Sequence, residues 1–218
     1  MLDWNQIESV FLDMDGTLLD LHFDNHFWLK HVPLRYAEKN GLTTQQALDE
    51  LVPRFKSIEG SMNWYCVDFW SKELDLDIAL LKAEVKHLIQ VHPYVLEFLE
   101  NLEKCGKRRV LVTNAHQKSL SLKMENTPLS GLLDKIICAH DLGIPKEDIQ
   151  FWDKLQSLEN YDPKRTLLID DNLNALGSAQ EYGIKHLLAI YEPDSKAGKK
   201  DVEQFKAIHS FNDIMPFK

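Results

Sequence analysis

The chain is short of the residues that staple, span or wrap. Cys66, Cys105 and Cys138 are its only cysteines in 218 residues, and their number and spacing argue against a disulfide framework and against a zinc site. No apolar run approaches the roughly 18 residues that a membrane-crossing helix needs. The opening Met1–Asn5 carries neither the basic nor the apolar stretch of a secretory leader. Positive charge is scarce: 25 Lys and Arg stand against 34 Asp and Glu, a net charge of −9. That balance lacks the basic footprint of a nucleic-acid binder. Repeats and low-complexity tracts are missing too. Together these absences predict a cytoplasmic protein that binds neither nucleic acid polymers nor membranes. A small anionic substrate stays compatible, because a local lysine or a bound cation can offset the overall field.

What the chain does have is alternation. Ser9–Leu12, Arg109–Val112, Lys135–Ala139, Thr166–Ile169 and His186–Ile190 are short, apolar and rich in branched side chains. Such runs suit strands buried on both faces of a parallel sheet. Helical patterns lie between them, over Tyr94–Cys105, Ile149–Leu158 and Ala175–Tyr182. The expected fold is therefore α/β, a Rossmann-like open parallel sheet. One stretch breaks the rhythm. Between about Leu21 and His92 only helical patterns appear, among them a capping box at Thr43 and Gln46 with Pro53 ending or kinking its helix, and a helix over Ile78–Gln90. We expect residues 1–20 and 93–218 to form the core and 21–92 an inserted α-helical cap.

In an open parallel sheet, ligands bind beyond the carboxyl ends of the strands. The residues predicted there are Asp13 and Asp15 after the first strand, Thr113 and Asn114 after the second, and Asp170 and Asp171 after the fourth. Lys146 follows the third by a short loop. Two carboxylates 4 Å apart repel by about 4 kcal/mol at an effective dielectric of 20. Four of them beside one lysine must take up protons or bind a cation. Mg²⁺ is the natural ion, and with the lysine it makes a place for phosphate.

Asp13-Met14-Asp15-Gly16-Thr17 after an apolar strand resembles the first motif of the haloacid dehalogenase-like phosphohydrolases. Thr113 resembles their second motif, Lys146 the third and Ile169-Asp170-Asp171 the fourth, in the same order along the whole chain. The resemblance implies that Asp13 is the nucleophile, forming an aspartyl-phosphate. It implies that Asp15 protonates the leaving oxygen and then activates water, which needs a raised carboxyl pKa. Gly16, Thr113, Asn114 and Lys146 would hold the phosphoryl group. Asp13, the Asp15 carbonyl and Asp171 would hold Mg²⁺, with Asp170 binding through water or orienting Lys146; spacing alone leaves that acidic pair interchangeable. Dehalogenases of the family lack the second Asp, so Asp15 favours phosphate-ester chemistry.

Nine of the 21 aromatic residues crowd into residues 22–71. Most are expected to build the cap's own core, as Phe69 and Trp70 do. Phe23, Trp64 and Tyr65, near the polar Asn25 and Asn63, are the candidates for stacking on a planar base. The segments DMDGTLLDLHFDNHFW, NWYCVDFW, TNAH, PKED and PDS are similar to a bacterial subgroup of purine 5′-nucleotidases acting on GMP and IMP. That resemblance implies a purine mononucleotide as the small-molecule partner. Alternatives are another phosphate ester such as a sugar phosphate, or a non-enzymatic phosphoacceptor or phosphate-binding module. His116 is expected as a solvated loop residue.

Overall fold

The computed structural model describes residues 2–216. Six strands make one parallel sheet: β1 (Ser9–Leu12), β2 (Arg108–Thr113), β3 (Lys135–Cys138), β4 (Thr166–Ile169), β5 (His186–Ile190) and β6 (Ala207–Ile208). Their order is β3-β2-β1-β4-β5-β6. The first five are the strands read from the sequence, within a residue. The sixth is two residues long, too short to leave a pattern.

Alternation of side chains across the sheet builds two cores. Val10 and Leu12 of β1 pack on one face with Val95, Phe98 and Leu99 of the helix Val95–Lys104. Phe11 points the other way, into Phe151, Trp152 and Leu176. Burial on both faces is why these strands read as unbroken apolar runs rather than as alternating ones. The helix Leu173–Tyr182 stops where Gly183 takes a left-handed φ of 108°. The helix expected over 149–158 is shorter, Gln150–Leu155.

The chain leaves the sheet after Leu19 and comes back at Val91. The departing and returning segments pair: Leu19 bridges Val91, Asp20 N–H donates to the Gln90 carbonyl and His92 N–H to the Leu18 carbonyl, both at 2.9 Å. Everything between is helix and turn, gathered around a separate cluster that includes Phe23, Phe27, Leu51, Phe55, Trp70 and Ile78.

Two local expectations change in this insertion. Thr43 and Gln46 do form the capping box of Thr44–Ser57, and of the two effects expected of Pro53, ending or kinking the helix, it does not end it but sits inside. Leu51 and Phe55 flank the proline and are buried in the cluster. Burying them, at about 1.5–3 kcal/mol each, outweighs a proline penalty of about 3 kcal/mol. The helix from Ile78 stops at Glu84, followed by a 3₁₀ turn at Lys86–Leu88. The chain must turn there to meet Leu19 at Val91.

Candidate active site

β1 and β4 are neighbours at the centre of the sheet, and the connections on either side of them run in opposite directions. A crevice opens at their carboxyl ends. Asp13 N–H donates to the Ile169 carbonyl at 3.0 Å, continuing the strand pairing by one residue and setting Asp13 beside Asp170. Lys146 bridges the two: its Nζ donates to Asp13 Oδ1 at 2.5 Å and to Asp170 Oδ2 at 2.6 Å. The lysine's own backbone is fixed. Its N–H donates to Asn114 Oδ1 at 3.0 Å, and its carbonyl accepts the Ser178 hydroxyl.

Asp171 completes the group. The carboxylates of Asp13, Asp170 and Asp171 offer oxygens within 4.8 Å of one another. Gly16 makes room for this: a Cβ there would lie 2.8 Å from Asp171 Cγ, and φ of +82° is a left-handed conformation that side chains resist. Thr113 Oγ1 accepts the Ala115 N–H at 3.0 Å, at the end of β2.

Burial pushes the Asp13 carboxyl up to about 7, with Lys146 pulling it down and Asp170 and Asp15 adding to the rise. Burial and then Asp13 raise Asp171 to about 7. Asp170 goes up to about 6, again through burial, against the pull of Lys146. Burial works to discharge Lys146, but Asp13 and Asp170 outweigh it and keep the ammonium protonated. One buried ammonium does not balance the buried carboxylates of Asp13 and Asp170 and the half-buried one of Asp171. Lys200 adds a second, partly exposed positive charge at the edge of the group, 3.8 Å from Asp171 Oδ2. The group is short of positive charge, and an all-oxygen acidic donor set fits a hard divalent cation.

Above this rim lies a cavity of about 710 Å³, the size of a small-molecule site. Its sheet side includes Asp13, Asp15, Thr113, Asn114, Lys146 and Asp171; its cap side includes Asn25, Trp28, Phe55, Trp64 and Tyr65. Of the residues expected from this insertion, Asn25, Trp64 and Tyr65 line the cavity. Asn25 is already engaged, its Nδ2 donating to Asp194 Oδ2 at 2.7 Å. The Tyr65 hydroxyl donates to Glu147, which also accepts from Asn114 Nδ2 at 2.8 Å and Asn172 Nδ2 at 2.7 Å.

Phe23 and Asn63 do not meet the expectation. Phe23 is 1% exposed, packed in the cap cluster because its ring is needed there as a floor under two buried lysines. Lys82 Nζ lies 5.0 Å and Lys123 Nζ 5.1 Å from its centre. Asn63 is exposed, because its short helix Met62–Tyr65 turns Trp64 and Tyr65 to the cavity instead. His116 is no solvated loop residue. Its side chain is 14% exposed and lies 3.7 Å from Asp68.

The two lysines packed against the Phe23 ring are the residues that sequence reasoning missed. Lys123, 1% exposed, donates to Asp15 Oδ1 and to Asp24 Oδ2, both at 2.6 Å. Lys82 donates to the other oxygen of Asp24 at 2.7 Å. A chain of alternating charge thus runs from Asp15 on the core to Lys82 in the cap. Burial raises the Asp15 carboxyl, opposed by Lys123. Burial also acts to raise Asp24, but Lys123 and Lys82 hold it well below the usual carboxylate range. A signal for Lys123 existed: it follows Leu120 by three residues and Ser119 by four, so it shares their buried helical face.

Similar proteins carry the same architecture. The haloacid dehalogenase-like hydrolase profile matches residues 10–189. GMP/IMP nucleotidase YrfG of Escherichia coli K12 is 38% identical over 213 residues, covering 98% of this chain and 96% of its own. A HAD phosphatase from Thermococcus onnurineus superposes with a TM-score of 0.78 at 22% identity, covering 95% of this chain and 96% of that one. L-2-haloacid dehalogenase from Xanthobacter autotrophicus, with chloropropionic acid covalently bound, superposes at 0.57 with 13% identity, covering 95% and 96%. These two solved structures share the fold and bear names of different chemistries, so the fold alone does not choose between them. A parallel sheet in this order, the acids at its central strand ends and the match along nearly its whole length place the chain in the haloacid dehalogenase-like hydrolase family.

Proposed function

We propose that the chain hydrolyses phosphate monoesters through an aspartyl-phosphate on Asp13, and that its substrates are the purine mononucleotides GMP and IMP. The observation that carries the chemistry is Asp13 clamped through Oδ1 by Lys146 at the floor of the cavity, with Asp15 two residues on. The substrate class rests on the 38% identity to a GMP/IMP nucleotidase and on the aromatic cap wall of Trp28, Trp64 and Tyr65.

The residues divide the work as follows. Asp13 attacks phosphorus through its unclamped oxygen while the bond from phosphorus to the nucleoside 5′-oxygen breaks. Asp15, its carboxyl raised by burial, passes its proton to that leaving oxygen. It then takes a proton from water as the water attacks phosphorus, the bond to Asp13 breaks, and inorganic phosphate departs. Lys146 favours the ionised form of Asp13 against the effect of burial and offsets charge on the phosphoryl oxygens, helped by Thr113 and by the Asn114 region of the same rim. Asp13 and Asp171, with the Asp15 carbonyl, would hold Mg²⁺, with Asp170 beside them engaged by Lys146 and the Asn172 N–H; the ion would supply the positive charge that the acidic group lacks. Lys123 is a positioning residue: by fixing one oxygen of Asp15 it aims the other at the scissile bond. Residues 21–92 act as the cap that closes over the base.

The test is a phosphate-release panel with Mg²⁺ over the 5′-mononucleotides and common sugar phosphates. GMP and IMP should lead in kcat/KM. Preference for a sugar phosphate would overturn the substrate, and no release from any ester would overturn the reaction.

A further inference from the structure

A second group of ligating side chains gathers where the cap meets the sheet, apart from the acidic rim. Cys66, His116 and His140 each offer one ligand atom, and these atoms lie within 4.8 Å of one another. Cys66 joins the cap helices Met62–Tyr65 and Val67–Leu74. His116 caps Gln117–Glu125 after β2, and His140 follows β3. All three are partly buried. The spacing of the cysteines argued against zinc, but spacing registers only neighbours in sequence, and the fold brings these three together from distant segments.

One atom marks the place. His140 Nε2 is buried without a hydrogen-bond partner among the described residues. A buried ring nitrogen that has lost water and gained nothing is costly. With the ring proton on Nδ1, the side the Asn114 backbone favours, the Nε2 lone pair is free, the form in which imidazole binds metals. The His116 and His140 rings meet edge to face with centroids 5.0 Å apart. Burial holds both below the usual imidazole pKa, so both are neutral near pH 7. Cys66 Sγ accepts the Phe69 N–H at 3.4 Å, at the positive end of a helix. Asp68, 3.7 Å from His116 Nε2, is a fourth donor at hand.

We infer that Cys66, His116 and His140 form a site for a borderline-soft divalent cation of the Zn²⁺ class, pinning the cap to the core. One sulfur and two imidazoles suit zinc, whereas the all-carboxylate rim suits magnesium. Tetrahedral zinc sets its donors roughly 3.3–3.7 Å apart, so atoms already within 4.8 Å of one another need draw in by no more than about 1.5 Å. His116 gives up the 3.3 Å bond by which Nδ1 accepts the Lys118 N–H, whichever ring nitrogen binds. The thiol proton leaves to solvent, and nothing is oxidised or reduced. Cys66 follows Trp64 and Tyr65 of the cavity wall, and His116 lines the cavity. A bound ion would therefore hold the wall against the rim. That last consequence rests on the proposed phosphatase reading; the binding does not.

Full-length, metal-stripped protein should be titrated with Zn²⁺ against a chromogenic chelator in excess Mg²⁺, and separately with Co²⁺ as an optical probe. The expected result is one Zn²⁺ per chain that Mg²⁺ does not displace, and a sulfur-to-cobalt charge-transfer band. Cys66→Ser should abolish the band, and Cys66→Ser and His140→Ala should each weaken Zn²⁺ binding by on the order of 100-fold or more. Alkylation of Cys66 in the wild-type chain, followed by peptide mass spectrometry, covers the case of a variant that does not fold: Zn²⁺ should slow it. Equal Zn²⁺ affinity in wild type and Cys66→Ser, displacement by Mg²⁺, a missing band, or unslowed alkylation would overturn the site. Failure of the nucleotide panel would leave all these readouts unchanged.

Discussion

Replacing Lys123 with methionine isolates the positioning role of a residue that touches no substrate. Methionine keeps the length and the apolar stem and removes only the ammonium. Asp15 and Asp24 each stand 2.6 Å from Lys123 Nζ, so without it two half-buried carboxylates face each other. At roughly 4 Å their repulsion is about 4 kcal/mol at an effective dielectric of 20. Protonation of Asp15, which burial already favours, relieves part of this. The net loss of stability should be about 2–4 kcal/mol, a fall in Tm of roughly 4–16 °C for a chain of this size. Catalysis should suffer selectively. With Asp15 unaimed, cleavage of the ester bond in GMP should slow by about 10²–10⁴-fold, while p-nitrophenyl phosphate, whose leaving group needs no proton, should slow less than about ten-fold. Rapid-quench single turnovers, run where circular dichroism shows the variant folded, measure that first step alone. Equal slowing of both substrates would refute the positioning role and make Lys123 purely structural.

Asp13→Asn should remove essentially all turnover while leaving the circular dichroism spectrum unchanged; measurable phosphate release would reject Asp13 as nucleophile. In EDTA, stability should fall as pH rises. Asp13 and Asp171 have folded values of about 7 against an unfolded value of 3.8, so between those limits the folded chain binds more protons than the unfolded one. Thermal melts from about pH 5 to about pH 8 should show the decline, and Mg²⁺, which favours the ionised acids, should flatten it. Gly16→Ala places a methyl 2.8 Å from Asp171 Cγ on a left-handed backbone; it should cost about 1–2 kcal/mol in denaturant unfolding and weaken Mg²⁺ activation together. Trp64→Ala should raise KM for GMP more than for a small phosphate ester, whereas Phe23→Ala should lower Tm and affect both esters alike.

The sheet and its rim were legible because both obey short rules. Strands buried on two faces leave apolar runs, and a parallel sheet delivers the residue after each run to one edge. That placed Asp13, Asp15, Thr113, Lys146, Asp170 and Asp171 without any contact being known. The cap obeyed no such rule. Which face of a helix meets the core depends on how two separate clusters dock, so Phe23 looked as eligible for the cavity as Trp64 did. Lys82 and Lys123 looked like ordinary surface lysines, although each stands in the apolar register of its helix, Lys82 four residues after Ile78 and Lys123 three after Leu120. Their burial makes sense only once Asp24 and Asp15 arrive from opposite sides. Asn63 failed for the converse reason: in a four-residue helix, one position decides between the cavity and the solvent.

Glu147 sits next to Lys146 and answers to three masters. Its carboxylate accepts from Asn114 behind β2, from Asn172 behind β4 and from Tyr65 in the cap. Lift the tyrosine away and the latch shared by the two loops loses its third hand in the same instant. Departure of the tyrosine would then be felt at the rim and, in the proposed reaction, would slacken the hold on inorganic phosphate as the cavity opened.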